Sequence, residues 1–365
     1  MEVRNLIRKL GTGVLVALIL HTLVEGMAWL VLWVGSEPAE GFLVSRGAGF
    51  HRQLASGFVG TSRGQLAVDP HLGYALEPAF EVFGPKEKGE ALRIVALGGS
   101  TTDPHNEGHW PGVLSELLER GGISAKVFNG GVGSYSTNQE VVKLIRDALS
   151  LSPDVVVSMD GVNDLGLVKS ISAATPMVNN PQEMISRYVV EGSLESVFLP
   201  NLVRLFGFGC GILREPHWGR PAKMTAEEVW EKNVRLMNAI SAEFGARYLC
   251  VLQPIMGFGS YSRSPDEEEM WKERKDRPVA SGLPYHEALE GYYQAAQARC
   301  RKLPYCADLT EIFGGQTNLY NDPRHPNPDG YSLLAETVFR ELRDRGLLAR
   351  PEAEESASIA EGVGE

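Results

Sequence analysis

Arg93-Ile94-Val95-Ala96-Leu97-Gly98-Gly99-Ser100-Thr101-Thr102 is the stretch from which the fold is read. Ile94 to Leu97 form an apolar run without polar alternation, the pattern of a strand buried on both faces. The two glycines then stop it in a sharp turn, because glycine alone tolerates the backbone angles of such a turn. Residues just past the turn lie exposed at the carboxyl end of a central strand, where open α/β sheets put their ligand crevice. Ser100 is therefore placed as a nucleophile would be, by analogy with other serine-bearing strand-to-helix elbows. A phosphate-cradling loop is the competing reading, but Gly98 opens neither G-x-x-x-x-G-K-[ST] nor G-x-G-x-x-G.

Downstream, apolar runs recur at 126–129, 154–159, 248–253 and about 306–310, separated by helical periods. Strands alternating with helices predict an α/β fold with a parallel sheet of about five strands covered on both faces. Three helices carry their own reasons. Val141, Val142, Leu144, Ile145 and Leu149 repeat at helical spacing after Asn138, a candidate cap. Thr225 and Glu228 form a capping box before the stripe Trp230, Val234, Met237, Ile240 and Phe244, which Gly245 ends. Asn327 before Pro328 starts a last helix marked by Leu333, Leu334, Val338, Phe339 and Leu342.

The 365 residues, 43% hydrophobic, supply a sizeable core and exclude disorder of the whole chain. A net charge of −11 without a Lys/Arg-rich stripe argues against a nucleic-acid partner. Leu10 to Val34 is mostly apolar and long enough to span a bilayer as one helix. Its apolar stretch is too long for a cleaved signal peptide, and Gly35-Ser36-Glu37-Pro38 makes a poor cleavage site, so the segment reads as an uncleaved anchor. Arg4, Arg8 and Lys9 precede it while Glu37 and Glu40 come after, which keeps the N-terminus in the cytoplasm and exports the rest. His21 and Glu25 share one face of the span; they are read as pairing with each other, with contact to a membrane-protein partner as the alternative.

The expected organisation is a cytoplasmic N-terminus and anchor at 1–35, a connecting arm at 36–90, the main domain at 91–348 and a disordered acidic tail at 349–365. About 165–225 is an insertion far longer than a βα loop needs. Gly257 to Leu283 is read as irregular, its charged run Asp266-Glu267-Glu268-Glu269 solvated or, as the weaker option, lining the substrate path. In an exported domain Cys300 and Cys306 can close a short disulfide loop. Cys250 reads as a buried thiol, Cys210 finds no place, and the absence of C-x-x-C argues against a cysteine-built zinc site.

A serine nucleophile needs a base, an orienting acid and oxyanion donors from other strand ends. Asp322-Pro323-Arg324-His325 lies before the last helix: His325 can take the serine proton, and Asp322 can fix its tautomer. Asn129-Gly130-Gly131-Val132-Gly133-Ser134-Tyr135 frees backbone N–H groups, and Asp160-Gly161-Val162-Asn163-Asp164 offers a side-chain amide. A metal site built on Asp103, His105 and His109 is the weaker alternative, those residues being read instead as lining the cleft.

Taken in order and spacing, these four blocks, from Arg93 to Tyr331, resemble the SGNH hydrolases, also called the GDSL esterase/lipase family. The resemblance implies a flavodoxin-like three-layer α/β/α sandwich. It also implies a triad of Ser100, His325 and Asp322, with an oxyanion hole from the N–H groups of Ser100 and the glycine block and from the Asn163 amide, and no cofactor or metal. Gly-Gly-Ser stands where Gly-Asp-Ser is usual, and the block's glycine falls on Ser134 with Gly133 beside it, leaving open which of the two donates. The expected activity is ester hydrolysis at an extracytoplasmic membrane-anchored site, on an acylated small molecule or a surface glycan. The alternatives are an acyltransferase with the same triad, a lipase or thioesterase, and a non-catalytic envelope scaffold.

Overall fold

The computed structural model describes residues 2–35, 58–61, 64–69, 71–85, 91–165, 224–278 and 283–349. The expected insertion, the acidic tail, Cys210 and most of the arm lie outside them. In chain order the elements are α1 (Glu2–Gly35), β1 (Phe58–Thr61), β2 (Gly64–Asp69), β3 (Gly73–Glu77), β4 (Glu81–Phe83), β5 (Leu92–Gly98), α2 (Trp110–Arg120), β6 (Ala125–Asn129), α3 (Thr137–Lys143), β7 (Val155–Asp160), α4 (Ala226–Glu243), β8 (Arg247–Leu252), α5 (Pro265–Lys275), α6 (Tyr285–Cys300), β9 (Cys306–Asp308) and α7 (Pro328–Asp344). The chain divides into two compact units, the first made of Met1–Thr61, Gln65–Tyr74 and Asn180–Gly219. That unit contains α1, of 34 residues, whose described side chains include exposed Val14, Leu15, Leu18, Leu23 and Met27. Among the described residues no helix is long and apolar enough to cross a membrane. Strands β1, β2 and β3 form a small sheet of their own in that order.

The second unit is built on a six-stranded sheet in the order β4-β6-β5-β7-β8-β9. Its last five strands are parallel, and β4 pairs antiparallel with β6 through Val82 opposite Phe128. The sheet is thus mixed, one strand larger than expected, and its added edge comes from the stretch read as an arm. Three residues of alternating exposure give too little pattern to be read as a strand from sequence. Among the parallel strands the chain runs second, first, third, fourth, fifth, so direction reverses between β5 and β7, the point at which such sheets hold their ligands.

Side-chain alternation on the strands separates two apolar layers. Ile94 and Ala96 of β5, with Val155, Val157 and Met159 of β7, pack against Trp110, Leu114 and Leu118 of α2 and Leu334, Val338 and Leu342 of α7. Val95, Leu97 and Val156 face the other way, toward Val141 of α3, Trp230, Val234 and Met237 of α4 and Leu289 and Tyr293 of α6. The helix ends obey local chemistry. Thr225 and Glu228 close the expected capping box on α4, the Thr225 N–H donating to Glu228 at 2.8 Å, and Gly245 stands beyond the end of α4 with φ +77°. Asn327 caps α7, accepting the Gly330 N–H at 2.9 Å with Pro328 in the first turn.

Two local expectations are corrected. The cap of α3 is Ser136, whose N–H donates to the Gln139 side chain at 3.2 Å, while Asn138 lies inside the helix and accepts from Asn233. The stretch Gly257 to Leu283 holds α5, started by Ser264 and Glu267 as a capping box, with the charged run forming its first acidic turn against the helix dipole. Glu267 is buried, not solvated, and accepts the Tyr261 hydroxyl at 2.5 Å and the N–H groups of Tyr320 at 3.0 Å and Asn318 at 3.1 Å. Cys300 and Cys306 are joined as a disulfide, and Cys250 is a buried thiol.

Candidate active site

The chain leaves β5 through Gly98 and Gly99, and each glycine answers a close approach. At Gly98, φ +156°, a β-carbon would collide with the Thr102 hydroxyl and the Met159 carbonyl; at Gly99 it would strike the Asn163 amide and lie 2.9 Å from the Tyr135 carbonyl. The turn closes through the N–H groups of Thr102 and Asp103, which both donate to the Gly99 carbonyl, and the Asn106 amide holds the Ser100 carbonyl. Ser100 is left half-buried at the end of the strand.

His325 reaches it from the loop before α7. Its Nε2 lies 2.8 Å from Ser100 Oγ and its Nδ1 lies 2.7 Å from Asp322 Oδ2, so three side chains form one continuous hydrogen-bonded chain across 225 positions of sequence. Asp322 is itself held by its own turn: Oδ1 accepts the N–H groups of Arg324 at 2.8 Å and His325 at 3.1 Å. Burial alone pushes the Asp322 carboxyl up, but the hydrogen bond and charge of His325 and these two N–H groups together hold it below the usual carboxylate range. An ionised acid accepting Nδ1–H leaves Nε2 of a neutral imidazole to accept a proton from the serine.

The expected oxyanion donors lie in the loops after β6 and β7. Gly131 lets the first of these loops pass against the Ser100 turn, since a β-carbon there would meet the Thr102 backbone at 2.5 Å. Of the two expected donors, the Gly133 N–H is engaged by Asp103 Oδ2 at 2.6 Å. Ser134 has φ +65°, the left-handed region that glycine favours, and its N–H, like that of Ser100, has no hydrogen-bond partner among the described residues. Asn163 donates its amide to the Tyr135 carbonyl at 2.8 Å, which sets it beside Gly99. Ser100, His325 and Asp322 are thus joined at one edge of the sheet, with the Asn163 amide beside Gly99.

Asp103, His105 and His109 have separate tasks. Asp103 Oδ1 accepts from His105, whose Nδ1 is 2.5 Å away, while His109 caps α2 through Gly112 N–H at 3.3 Å and lies 3.4 Å from Glu81. Among the described residues no group of three or more such side chains is arranged to hold a metal ion.

The sequence reading missed the groups that stand behind the donors. Asp164, next to Asn163, accepts the Thr137 hydroxyl at 2.5 Å and the Thr137 N–H, so the start of α3 is pinned to the Asn163 turn. Glu140, Asp160 and Asp164 are all buried there, with Ser158 donating to Asp160 at 2.7 Å and lying 2.6 Å from the Tyr248 hydroxyl. Burial raises all three carboxyls, Asp160 to about 6 and Asp164 to about 8, and the charge of Asp160 raises both others further. Glu140 sits within the helical period that starts at Thr137; polar residues on a helix face otherwise read as solvent-facing, and only packing shows that this face is covered.

No family model matches the chain, and no curated protein sequence matches it. Solved structures do. An acetyl xylan esterase, AlAXEase, aligns at 15% identity and TM-score 0.41 over 69% of this chain and 100% of its own. A catalytic mutant of the acetylxylan esterase Axe2 from Geobacillus stearothermophilus aligns at 13% identity and TM-score 0.40, over 70% and 95%. A G-D-S-L family protein from Desulfitobacterium hafniense DCB-2 aligns at 14% identity and TM-score 0.37, over 68% and 98%. At TM-scores below 0.5 these likenesses set no constraint on what this chain does.

Proposed function

We propose that this protein is a serine ester hydrolase of SGNH type, working through Ser100, His325 and Asp322. The observation that carries the reading is the unbroken chain from Ser100 Oγ through His325 to Asp322 at 2.8 and 2.7 Å. In this reading Ser100 Oγ bonds to the ester carbonyl carbon as His325 Nε2 takes its proton and the carbonyl electrons move onto oxygen. The intermediate collapses, the C–O bond to the alcohol breaks, and the alcohol leaves with the proton from His325. Water then attacks the acyl-enzyme by the same two proton transfers, releasing the acid and restoring Ser100. The N–H groups of Ser100 and Ser134 and the amide of Asn163 meet the developing oxyanion; Ser134 takes this role because Asp103 already holds the Gly133 N–H.

The proposal extends to location and carrier. Its support lies in the sequence: the 25 residues from Leu10 to Val34, at about 1.5 Å each, exceed the roughly 30 Å hydrocarbon core. With Arg4, Arg8 and Lys9 ahead of that segment, we read it as an anchor that leaves the catalytic domain outside the cytoplasm, where O-acylated glycans are the substrates to test first. The deciding experiment treats detergent-solubilised full chain with an activated fluorophosphonate and with p-nitrophenyl esters. Labelling at Ser100, and loss of labelling and turnover in Ser100→Ala, are expected; labelling elsewhere, or full activity in that variant, overturns the reading. Supplying an acceptor sugar separates hydrolysis from acyl transfer, which uses the same residues.

A further inference from the structure

Arg324 lies between the two residues of the proposed acid–base pair, and its guanidinium sits 5.7 Å from the centre of the Tyr285 ring. Arg274, from the last turn of α5, sits 4.6 Å from the centre of the same ring. Two cations from distant segments thus converge on one fully buried aromatic at the base of the Asp322 turn. Neither has an ion-pair partner among the described residues, and the Nε of each is buried without a hydrogen-bond partner, as is the Tyr285 hydroxyl. Other arginines of the second unit do close ion pairs: Arg263 with Glu268 at 2.6 Å, Arg235 with Glu231 at 2.7 Å, Arg345 with Glu341 at 2.8 Å.

The carboxylate at hand, Asp322, acts on Arg274 through space and closes no ion pair with either arginine among the described residues. Both Asp322 oxygens are occupied, one by two backbone N–H groups and the other by His325. Burial, and after it the charge of Arg324, pulls Arg274 below the ordinary guanidinium range, the charge of Asp322 offsetting them only in part. Both side chains keep part of their surface in contact with solvent. A guanidinium presents a planar fork of donors that matches an oxyanion, and stacking on an aromatic ring fixes that fork in advance. In a chain of net charge −11, two such forks that close no ion pair among the described residues suit a negative group brought by the substrate.

We propose that Arg274 and Arg324 form an anion subsite, and that the ester cleaved by this protein carries a carboxylate, sulfate or phosphate on its alcohol half. The inference rests on the hydrolase reading for its placement: the leaving alcohol must lie at His325 Nε2 to collect its proton, and Arg324 adjoins His325 in the same turn. The acyl group then points away from the arginines, and the charged carrier of the alcohol lies along them.

The test uses three acetate esters with the full chain in detergent: phenyl acetate, 4-carboxyphenyl acetate and 4-sulfophenyl acetate. Arg274→Gln and Arg324→Gln are expected to lower kcat/KM for the two charged esters about 10–100-fold relative to phenyl acetate, chiefly through KM. Arg274→Lys, which keeps the charge and loses the fork, should recover part of that ratio. Comparing each variant with wild type on the same ester cancels the difference in leaving-group reactivity. Inorganic sulfate and phosphate binding to Ser100→Ala, measured by calorimetry, should weaken by a similar factor when Arg274→Gln is added. An unchanged ratio in both variants, or an equal loss on neutral and charged esters, overturns the subsite, the second outcome marking the arginines as structural props of Tyr285. Sulfate binding that depends on Arg274 in a protein that hydrolyses no ester would sink the hydrolase reading and keep the anion site. Hydrolysis without charge discrimination would do the reverse.

Discussion

The Gly133 N–H donates to Asp103 Oδ2 across 2.6 Å, and that bond ties the loop after β6 to the turn beyond Ser100. Gly133 is spent on the tie while Ser134, held at φ +65°, is not, which in the proposed mechanism leaves Ser134 to meet the ester. Asp103→Asn keeps the shape and removes the charge that strengthens this hydrogen bond, worth about 1.5–3 kcal/mol for a charged partner. The expected outcome is a fall in kcat of about tenfold or more with a smaller change in KM, read by steady-state kinetics. Unchanged kcat in a variant of normal melting temperature would remove Asp103 from any role in placing Ser134.

Asn163→Ala removes the amide proposed to meet the oxyanion. The interaction strengthens as charge develops, so its loss falls on the transition state: kcat should drop about 10²–10³-fold, roughly 3–4 kcal/mol, with KM little changed. Asn163 also bonds the Tyr135 carbonyl, so melting temperature must be measured on the same protein. Full kcat in a normally folded variant refutes the role. A stability loss without any kcat loss at a temperature where the variant is folded refutes it equally.

Gly99→Ala places a methyl group against the Asn163 amide and the Tyr135 carbonyl. Neither can withdraw without disturbing the other, since they are bonded to each other. Crowding of this kind costs about 1–3 kcal/mol, and it displaces Asn163 from its place beside Ser100. Loss of both thermal stability and turnover is the expected result; a variant that melts and turns over like wild type would show that the turn has slack.

The carboxyls of Glu140, Asp160 and Asp164 are raised by burial, the last two to about 6 and about 8. A folded protein that holds protons which the unfolded chain has released is stabilised at low pH: the contribution is full below the unfolded value of about 4 and is lost as pH rises through 6 toward 8. Asp322 and Glu267, both lowered in the fold, act in the opposite sense, their contributions being lost only as pH falls toward their folded values. Glu140→Gln should therefore flatten the decline in stability as pH rises above the unfolded carboxylate range, measured by denaturant titration from about pH 4 to pH 8. An identical pH slope in the variant would show that the cluster does not exchange protons on folding.

What the sequence settled by itself was whatever depends on neighbours along the chain. The apolar run 93–97, the Gly-Gly turn, the capping box of Thr225 and Glu228, and the Asn327-Pro328 start of α7 are local patterns whose physics is complete within a few residues. The candidate site was legible for the same reason: three blocks follow strand ends, the fourth precedes the last helix, and their residue types carry their chemistry wherever the chain puts them. What only the tertiary structure decided depends on contacts across the fold. That Gly133 and not Ser134 is consumed is the work of Asp103, 30 positions earlier; that Glu267 is buried is due to Tyr261, Asn318 and Tyr320 closing over it. Strand β4 needed β6 as a partner, since three residues have no periodicity to read. The three buried carboxyls and the paired arginines over Tyr285 were invisible because charge in a sequence reads as solvent-facing, and desolvation exists only once other elements have covered it.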